Sequence, residues 1–411
     1  MDSNKWHHQE LIRSEKHGRE ATVERYDNYV LKTYKPKYFK YNRRYRRRGE
    51  IFYLQKYPSP FFPSLLEHQD GFIVMPHYGN KIYMSRRKCW QIKSEGLNYL
   101  GLVAWINGLR KELTRLQLLH RDINPTNILY DQHSDKYMLI DFGWMIMQSD
   151  LNKRRMRRRR FNPQKLKPKK LNPYAKDDNE ALDKISINAI KILLSRIGSD
   201  GYRDGSSIKR GWTYHPIPFL EFKDIPTHKT AAIEEYKEVL KYGELENKKN
   251  LNILDIGSSV GYFSFQLATL GNFVTGIEAD SKTWEVAEAI RIFKGFSNIN
   301  FINAKLNSEI MSGLNNNFDL TIILNVHMWI YKQLGAEQTM VLMRQLSKKT
   351  KKILFQTAGM QSGGKYLVKE FIDNVSIKKY LEVCGFNNVT HLRDTDAHGG
   401  KRALFVADGN I

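Results

Sequence analysis

The chain has 411 residues, with 66 Lys or Arg against 43 Asp or Glu, a net charge of +23, and 41% apolar and 12% aromatic side chains. That length and apolar content suit two domains with separate cores, and the charge asks for a polyanionic partner or surface. Two cysteines, Cys89 and Cys384, one in each half, exclude a disulfide framework and a cysteine metal site. No run approaches the roughly 18 apolar residues of a membrane helix, and Met1 to His8 lacks the apolar core of an export signal. A reducing, cytoplasmic setting is expected, with any membrane contact peripheral at the inner membrane surface.

Residues 21 to 33 alternate and bend like a hairpin, with Asp27-Asn28 at the turn and Tyr29-Val30-Leu31-Lys32 in the returning strand. Upstream, Gly18 stands alone in Lys16-His17-Gly18-Arg19. Arg48 to Leu54 has helical apolar spacing and carries Glu50. Phe72 to Met75 reads as a buried strand running into Pro76-His77-Tyr78-Gly79. Leu102, Trp105, Ile106, Leu109 and Leu113 then place a long core helix within 97 to 116.

That helix delivers the stretch around which the first half is organised, His120-Arg121-Asp122-Ile123-Asn124-Pro125-Thr126-Asn127, between strand-like apolar flanks. Tyr137-Met138-Leu139-Ile140 follows and leads into Asp141-Phe142-Gly143. A carboxylate, an amide five residues on and a second carboxylate after a short strand are the parts phosphoryl transfer needs. Asp122 would stand beside an acceptor hydroxyl, with Asn127 and Asp141 on Mg²⁺.

On these motifs the first half resembles the protein kinase-like superfamily, which implies an α+β bilobal fold and ATP. The resemblance makes Asp122 the catalytic base or hydroxyl-orienting group and Lys32 the grip on the α- and β-phosphates, with Glu50 as its partner. Met75 and His77 fall in the linker over which adenine would stack, Met75 to Tyr78 supplying backbone hydrogen bonds. On the residues alone, Lys32 and Glu50 also read as a surface pair, and 72 to 79 as a plain strand and turn. Asn124 stands where the common protein kinases have a Lys that steadies the γ-phosphate, and the glycine-rich loop is reduced to Gly18. The first departure leans towards compact atypical kinases acting on sugars, lipopolysaccharide or small molecules.

Residues 151 to 170 hold eleven Lys or Arg and no acid, where an activation segment would lie. They read either as a solvated loop or as a cationic strip recruiting an anionic acceptor such as a phosphorylated glycolipid, a membrane surface or RNA. Ser149 and Tyr174 are the only hydroxyls between Trp144 and Lys176, so switching by phosphorylation there is not expected. Asp178 to Leu194 is an apolar-periodic helix, with Asp183 a candidate strut for the catalytic loop. No room is left for a protein kinase's further helices. A kinase-like domain over 1–197 and a linker over 198–230, begun by Gly198, Gly201, Gly205 and Gly211, precede a second domain over 231–411.

In that domain Ala231 to Tyr242 is a helical lead and Gly243 to Asn250 a polar turn. Leu251 to Ser264 reads as strand, glycine turn and helix, with Asp255, Gly257 and Gly261; a second strand, Phe273 to Glu278, ends in an acid twenty-one residues beyond Gly257. This resembles a class I S-adenosylmethionine methyltransferase, implying an α/β doubly wound Rossmann-like fold. Its glycines would pass the methionine end of the cofactor, and Glu278 would bind both ribose hydroxyls. A nicotinamide-binding domain is the competing reading, but the Asp255, Gly257, Gly261 spacing departs from its G-x-G-x-x-G. Strands follow at 299–302, 318–325 and 352–356, with a closing pair around Val389 and Leu404 to Val406.

Asn325 to Trp329 ends the fourth strand, where donor and acceptor meet. His327 is the candidate base for a neutral hydroxyl, and Arg393, His398, Lys401 and Arg402 are candidate clamps for an anionic acceptor. All five also read as a core histidine and an ordinary basic loop.

Two such halves suggest successive steps on one acceptor, similar to the kinase-methyltransferase that caps a bacterial polymannose O-antigen, with the domain order reversed and no heptad run. Expected is phosphorylation of a glycan or glycolipid hydroxyl and methylation of the same acceptor, on the phosphate. The alternatives are an RNA-modifying methyltransferase with the kinase-like half as an ATP-driven docking module, and a pseudokinase scaffold. The presence of Lys32, Glu50, Asp122, Asn127 and Asp141 together argues against the last.

Overall fold

The computed structural model describes residues 11, 13–15, 21–35, 50–69, 71–85, 91–93, 96–142, 145–149, 177–198, 211–228, 232–314, 317–359, 368–397 and 400–411. Gly18, Cys89, the basic run at 151–170, His398 and the side chain of Lys401 lie outside what is described. The chain divides into two compact units, Met1–Lys191 and Ile192–Ile411. Among the described residues no helix is long and apolar enough to cross a membrane.

The first unit begins with strands β1 (Arg13–Glu15), β2 (Ala21–Arg25), β3 (Tyr29–Tyr34), β4 (Glu67–Gln69) and β5 (Phe72–Pro76), an antiparallel sheet of order β1-β2-β3-β5-β4. The β2–β3 turn closes with the Tyr26 amide on the Tyr29 carbonyl at 2.9 Å, and the two rings stack 4.4 Å apart over Leu31 and Val74. Between β3 and β4 the helix α1 (Glu50–Lys56) turns Glu50, Tyr53 and Leu54 inward.

The other lobe is built on the helix α2 (Tyr99–Arg115), whose buried Leu102, Val103, Ile106, Leu109 and Leu113 recur at three- and four-residue spacing. Asn98 caps it through the Gly101 amide. Short strands β6 (Asn80–Lys81), β7 (Tyr83–Ser85), β8 (Gln91–Lys93), β9 (Leu118–Leu119), β10 (Ile128–Asp131), β11 (Lys136–Leu139) and β12 (Ile146–Met147) hold the catalytic stretch. β10 pairs with β11 and β6, and β9 with β12. The helix α3 (Asp178–Leu194) ends the lobe. The architecture is α+β, bilobal and kinase-like.

The second unit opens with α4 (Ala232–Tyr242) and then alternates strand and helix: β13 (Asn252–Ile256), α5 (Tyr262–Thr269), β14 (Phe273–Glu278), α6 (Ser281–Lys294), β15 (Ile299–Asn303), α7 (Ser308–Gly313), β16 (Leu320–Leu324), α8 (His327–Ser347), β17 (Lys352–Thr357) and α9 (Asn374–Val383). β18 (Asn387–Ala397) and β19 (Gly400–Asp408) close it. The seven-stranded order is β15-β14-β13-β16-β17-β19-β18, with β19 antiparallel to both neighbours and the pairs from β15 to β17 parallel.

β16 is buried at all five positions, as a strand flanked by elements on both faces must be. The chain order reverses beside β13, so the crevice lies beyond the carboxyl ends of β13, β14 and β16. This is the α/β doubly wound, Rossmann-like methyltransferase fold.

Candidate active sites

In the first unit, β3 and α1 bring Lys32 and Glu50 together, with the ammonium Nζ 2.6 Å from Glu50 Oε2 and 3.7 Å from Asp141 Oδ1. The Glu50 side chain is 5% exposed, and a carboxylate so placed needs donors. The Tyr34 hydroxyl is the second one. Tyr34 lies two residues beyond Lys32 on the same strand face, so strand alternation alone could have singled it out.

Asp122 and Asn127 are joined directly. The Asn127 amide donates to the Asp122 carbonyl at 2.9 Å and to its Oδ2 at 3.1 Å, which leaves Asn127 Oδ1 as the atom a cation could take. Asn127 and Asp141 line one cavity of about 330 Å³ together with Val30, Lys32, Met75 and His77. A carboxylate and an amide oxygen suit Mg²⁺, which keeps several waters and takes further oxygens from phosphate. Among the described residues no cluster of three or more His, Cys, Asp or Glu forms an all-protein metal cage.

The linker departs from expectation at His77. Its amide donates to the Asn28 carbonyl at 3.1 Å and its Nδ1 lies 3.4 Å from the Asp27 carbonyl, so this N–H is tied to the β2–β3 turn and is not offered to a base. Asn124 supplies no cation in place of the Lys. It caps the turn Pro125–Asn127, accepting from the Thr126 amide at 3.0 Å and donating to the Asp122 carbonyl at 3.1 Å.

Arg121 and Asp141 sit at φ 68° and 69°. A side chain in that region costs about 1–3 kcal/mol and persists where its neighbours fix it. The group that fixes it is Asp178, not Asp183. Asp178 accepts the His120 amide at 2.5 Å and the Arg121 amide at 2.7 Å, while burial pushes its carboxyl up against the pull of those two amides. Asp183 pairs with Arg110. Five residues of helix rotate a side chain about 500°, so these two acids face different ways. Burial holds His120 down to about 4, hence neutral, and its Nε2–H donates to the Ile140 carbonyl at 3.1 Å, locking the catalytic loop to the strand that leads into Asp141.

In the second unit β13 ends at Gly257, with φ 76°, where a Cβ would stand 2.8 Å from the Val326 Cβ. Gly261, at φ 85°, caps α5, and a Cβ there would meet Phe265 at 2.7 Å. Only glycine allows this turn. The Ser259 amide donates to Glu278 Oε2 and the Asp280 amide to Oε1, each at 2.9 Å, so Glu278 ties the glycine turn to the start of α6. Loss of hydration pushes its carboxyl up to about 7, opposed by those amides. A cradle that a Cβ would fill, ending at an acid, fits the methionine end and ribose of S-adenosylmethionine.

Asp255 does not face that cradle. It is buried and accepts the Ser264 hydroxyl at 2.6 Å, bracing the joint between β13 and α5, with burial pushing it up to about 6.

His327 is a core residue. It is 0% exposed, with Nδ1 3.3 Å from the Thr357 hydroxyl and Nε2 3.1 Å from the Tyr380 hydroxyl, against the Phe355 and Phe371 rings. Burial pulls it down to about 3, so it stays neutral and out of reach of an acceptor. Of the predicted clamps, Arg393 is bound to Glu238 at 2.5 Å. Arg402 points its Nη1 at Asn325 Oδ1, 2.5 Å away at the carboxyl end of β16.

Fold and site together define the second unit as a class I-type methyltransferase domain and the first as a kinase-like domain. Residues 247–389 match the family model described as a methyltransferase domain. A search of curated proteins finds no match to the chain.

Among solved structures, the chain is similar to the bifunctional kinase-methyltransferase WbdD, at 18% identity and TM-score 0.41 over 48% of this chain and 43% of that one. It is also similar to the N-terminal domain of EvdMO1 with S-adenosylhomocysteine bound, at 14% identity and TM-score 0.36 over 48% of this chain and 92% of that one. The chain thus matches less than half the length of the WbdD structure.

Proposed function

We propose that the chain is a bifunctional transferase: a kinase that phosphorylates a glycan or glycolipid hydroxyl with ATP, and a methyltransferase that methylates the same acceptor on the new phosphate. The division proposed is a kinase-like domain over 1–197, a linker over 198–230 and a methyltransferase domain over 231–411. The observation that carries the kinase half is the convergence of Lys32, Glu50, Asn127 and Asp141 on one cavity, with Asp122 bonded to Asn127.

In this reading Asp122 orients the acceptor hydroxyl and takes its proton, Lys32 holds the α- and β-phosphates, and Asn127 and Asp141 hold Mg²⁺. When bound, ATP supplies the γ-phosphoryl group and S-adenosylmethionine the methyl group. Glu278 binds the ribose hydroxyls and the Gly257–Gly261 turn lets the backbone approach the cofactor. With His327 in the core, the acceptor that the site serves is one that arrives already ionised, as a phosphate does. A glycan acceptor rests on the Asn124 departure from the common protein kinases.

The test is double labelling of extracted glycans and RNA with ³²P-ATP and methyl-labelled S-adenosylmethionine, read by mass spectrometry. Both labels are expected on one glycan product, and Asp122→Ala is expected to remove both. Methyl transfer to the natural acceptor that survives Asp122→Ala overturns the coupling, and labelled RNA in place of glycan overturns the acceptor.

A further inference from the structure

We propose that Arg402 is the cation of the methyl-acceptor site, and that Asn325, Gln356 and Thr395 are the residues that position it. This rests on the reading of the second unit as a phosphate methyltransferase, and it separates the one clamp from the four basic residues that sequence alone could not rank.

The observation is a ring of polar contacts across four strands. Arg402 Nη1 donates to Asn325 Oδ1 at 2.5 Å, and the Asn325 amide donates to Gln356 Oε1. Gln356 Nε2 donates to Thr395 Oγ1 at 2.8 Å, and that hydroxyl donates to the Arg402 carbonyl at 3.2 Å. The ring therefore leaves from the guanidinium of Arg402 and returns to its backbone.

Gln356 is 0% exposed and Asn325 7%, so both amides need every partner the ring gives them, and each has one orientation that satisfies it. Asn325 also stands at φ 65°, and its amide donates to the Gln356 carbonyl at 3.0 Å. Backbone and side chain are held by the same neighbour.

Location gives the ring its use. Val326, next to Asn325, presses on Gly257 where a Cβ would come within 2.8 Å. The guanidinium is thus held within a residue of the turn that cradles the methionine end of the cofactor. Asn325 takes one of its five N–H groups, and the fork has others for an anion. Arg393, on the neighbouring β18, is bound to Glu238 instead, which cancels its charge.

The step is balanced without a base. A lone pair of the phosphate oxygen forms the O–CH₃ bond as the C–S bond breaks, and the bonding pair returns to sulfur. The sulfonium becomes a neutral thioether, the acceptor loses one negative charge and no proton moves. Arg402 holds the attacking oxygen in line, which makes it a specificity-determining contact, while the other three act through it.

The experiment uses the full chain and phenyl phosphate as methyl acceptor, with S-adenosylhomocysteine binding measured alongside by calorimetry. Arg402→Gln is expected to raise the KM for phenyl phosphate at least tenfold and leave S-adenosylhomocysteine affinity within twofold. Arg402→Lys keeps the charge without the fork and falls between. Thr395→Val raises KM about threefold with the affinity unchanged, and Arg393→Gln changes neither.

The rate should rise with pH through the second ionisation of the ester, near about 6. Methylation unaffected by Arg402→Gln, a KM that follows Arg393 instead, or no transfer to phenyl phosphate by a chain that binds S-adenosylhomocysteine each overturns the assignment. Failure of the unmodified chain to bind S-adenosylhomocysteine overturns the methyltransferase reading itself.

Discussion

Two carboxylates, Asp178 and Glu278, do at their separate sites what no neighbouring side chain does: each gathers two backbone amides and so holds a strained loop. Removing Asp178 leaves the amides of His120 and Arg121 without their acceptor. A buried donor so orphaned costs about 1–3 kcal/mol, so Asp178→Ala is expected to destabilise by about 2–4 kcal/mol in urea denaturation and to abolish ATP turnover. Asp183→Ala, which breaks a partly exposed pair with Arg110, should stay within about 1 kcal/mol.

Glu278 gives a pH dependence with opposite signs for the empty and loaded chain. Its carboxyl is raised from 4.5 to about 7, so the stabilisation from its protonated form is full below about 4.5 and is lost as pH climbs through about 7. Without cofactor the second unit should melt lower at pH 8 than at pH 6, and Glu278→Gln should flatten that difference. Ribose hydroxyls donate to the ionised form, so S-adenosylhomocysteine should bind more weakly at pH 6 than at pH 8, by up to about tenfold per unit below the carboxyl's pKa. Calorimetry at both pH values decides it.

At the scale of elements, the glycine turn between β13 and α5 tolerates no side chain. Gly257→Ala meets Val326 and a left-handed backbone together. A strain of about 1–3 kcal/mol corresponds to an affinity loss of about 5- to 150-fold for S-adenosylhomocysteine, and Val326→Ala on that background should recover the part due to contact but not the part due to φ. Strand and helix placement was legible because each element carries its period plainly. α2 repeats at three and four, β16 is apolar throughout, and α3 spans Asp178–Leu194 as its apolar pattern indicates. The strut was not legible. Asp178 and Asp183 lie on one helix, and only the position of the catalytic loop against α3 tells which face meets it.

For the whole molecule, the net charge of +23 is a statement about partners and kinetics more than about fold. Binding of a phosphorylated glycan is expected to weaken steadily between about 50 and 200 mM salt, and a salt-insensitive affinity would show that the cations take no part.

The sequence by itself determined the two kinds of fold, the residues of the kinase-like cleft and the glycine turn ending at Glu278, because these are local patterns: a period, a turn geometry, a fixed spacing between groups that must share one site. It left Tyr34, Asp178, the tied amide of His77 and the burial of His327 open. It could not separate Arg393 from Arg402, since both are cations on adjacent strands. Only the tertiary structure decided these. What a side chain does there depends on which distant residue faces it, Glu238 for one arginine and Asn325 for the other, and that pairing is set by the packing of whole elements.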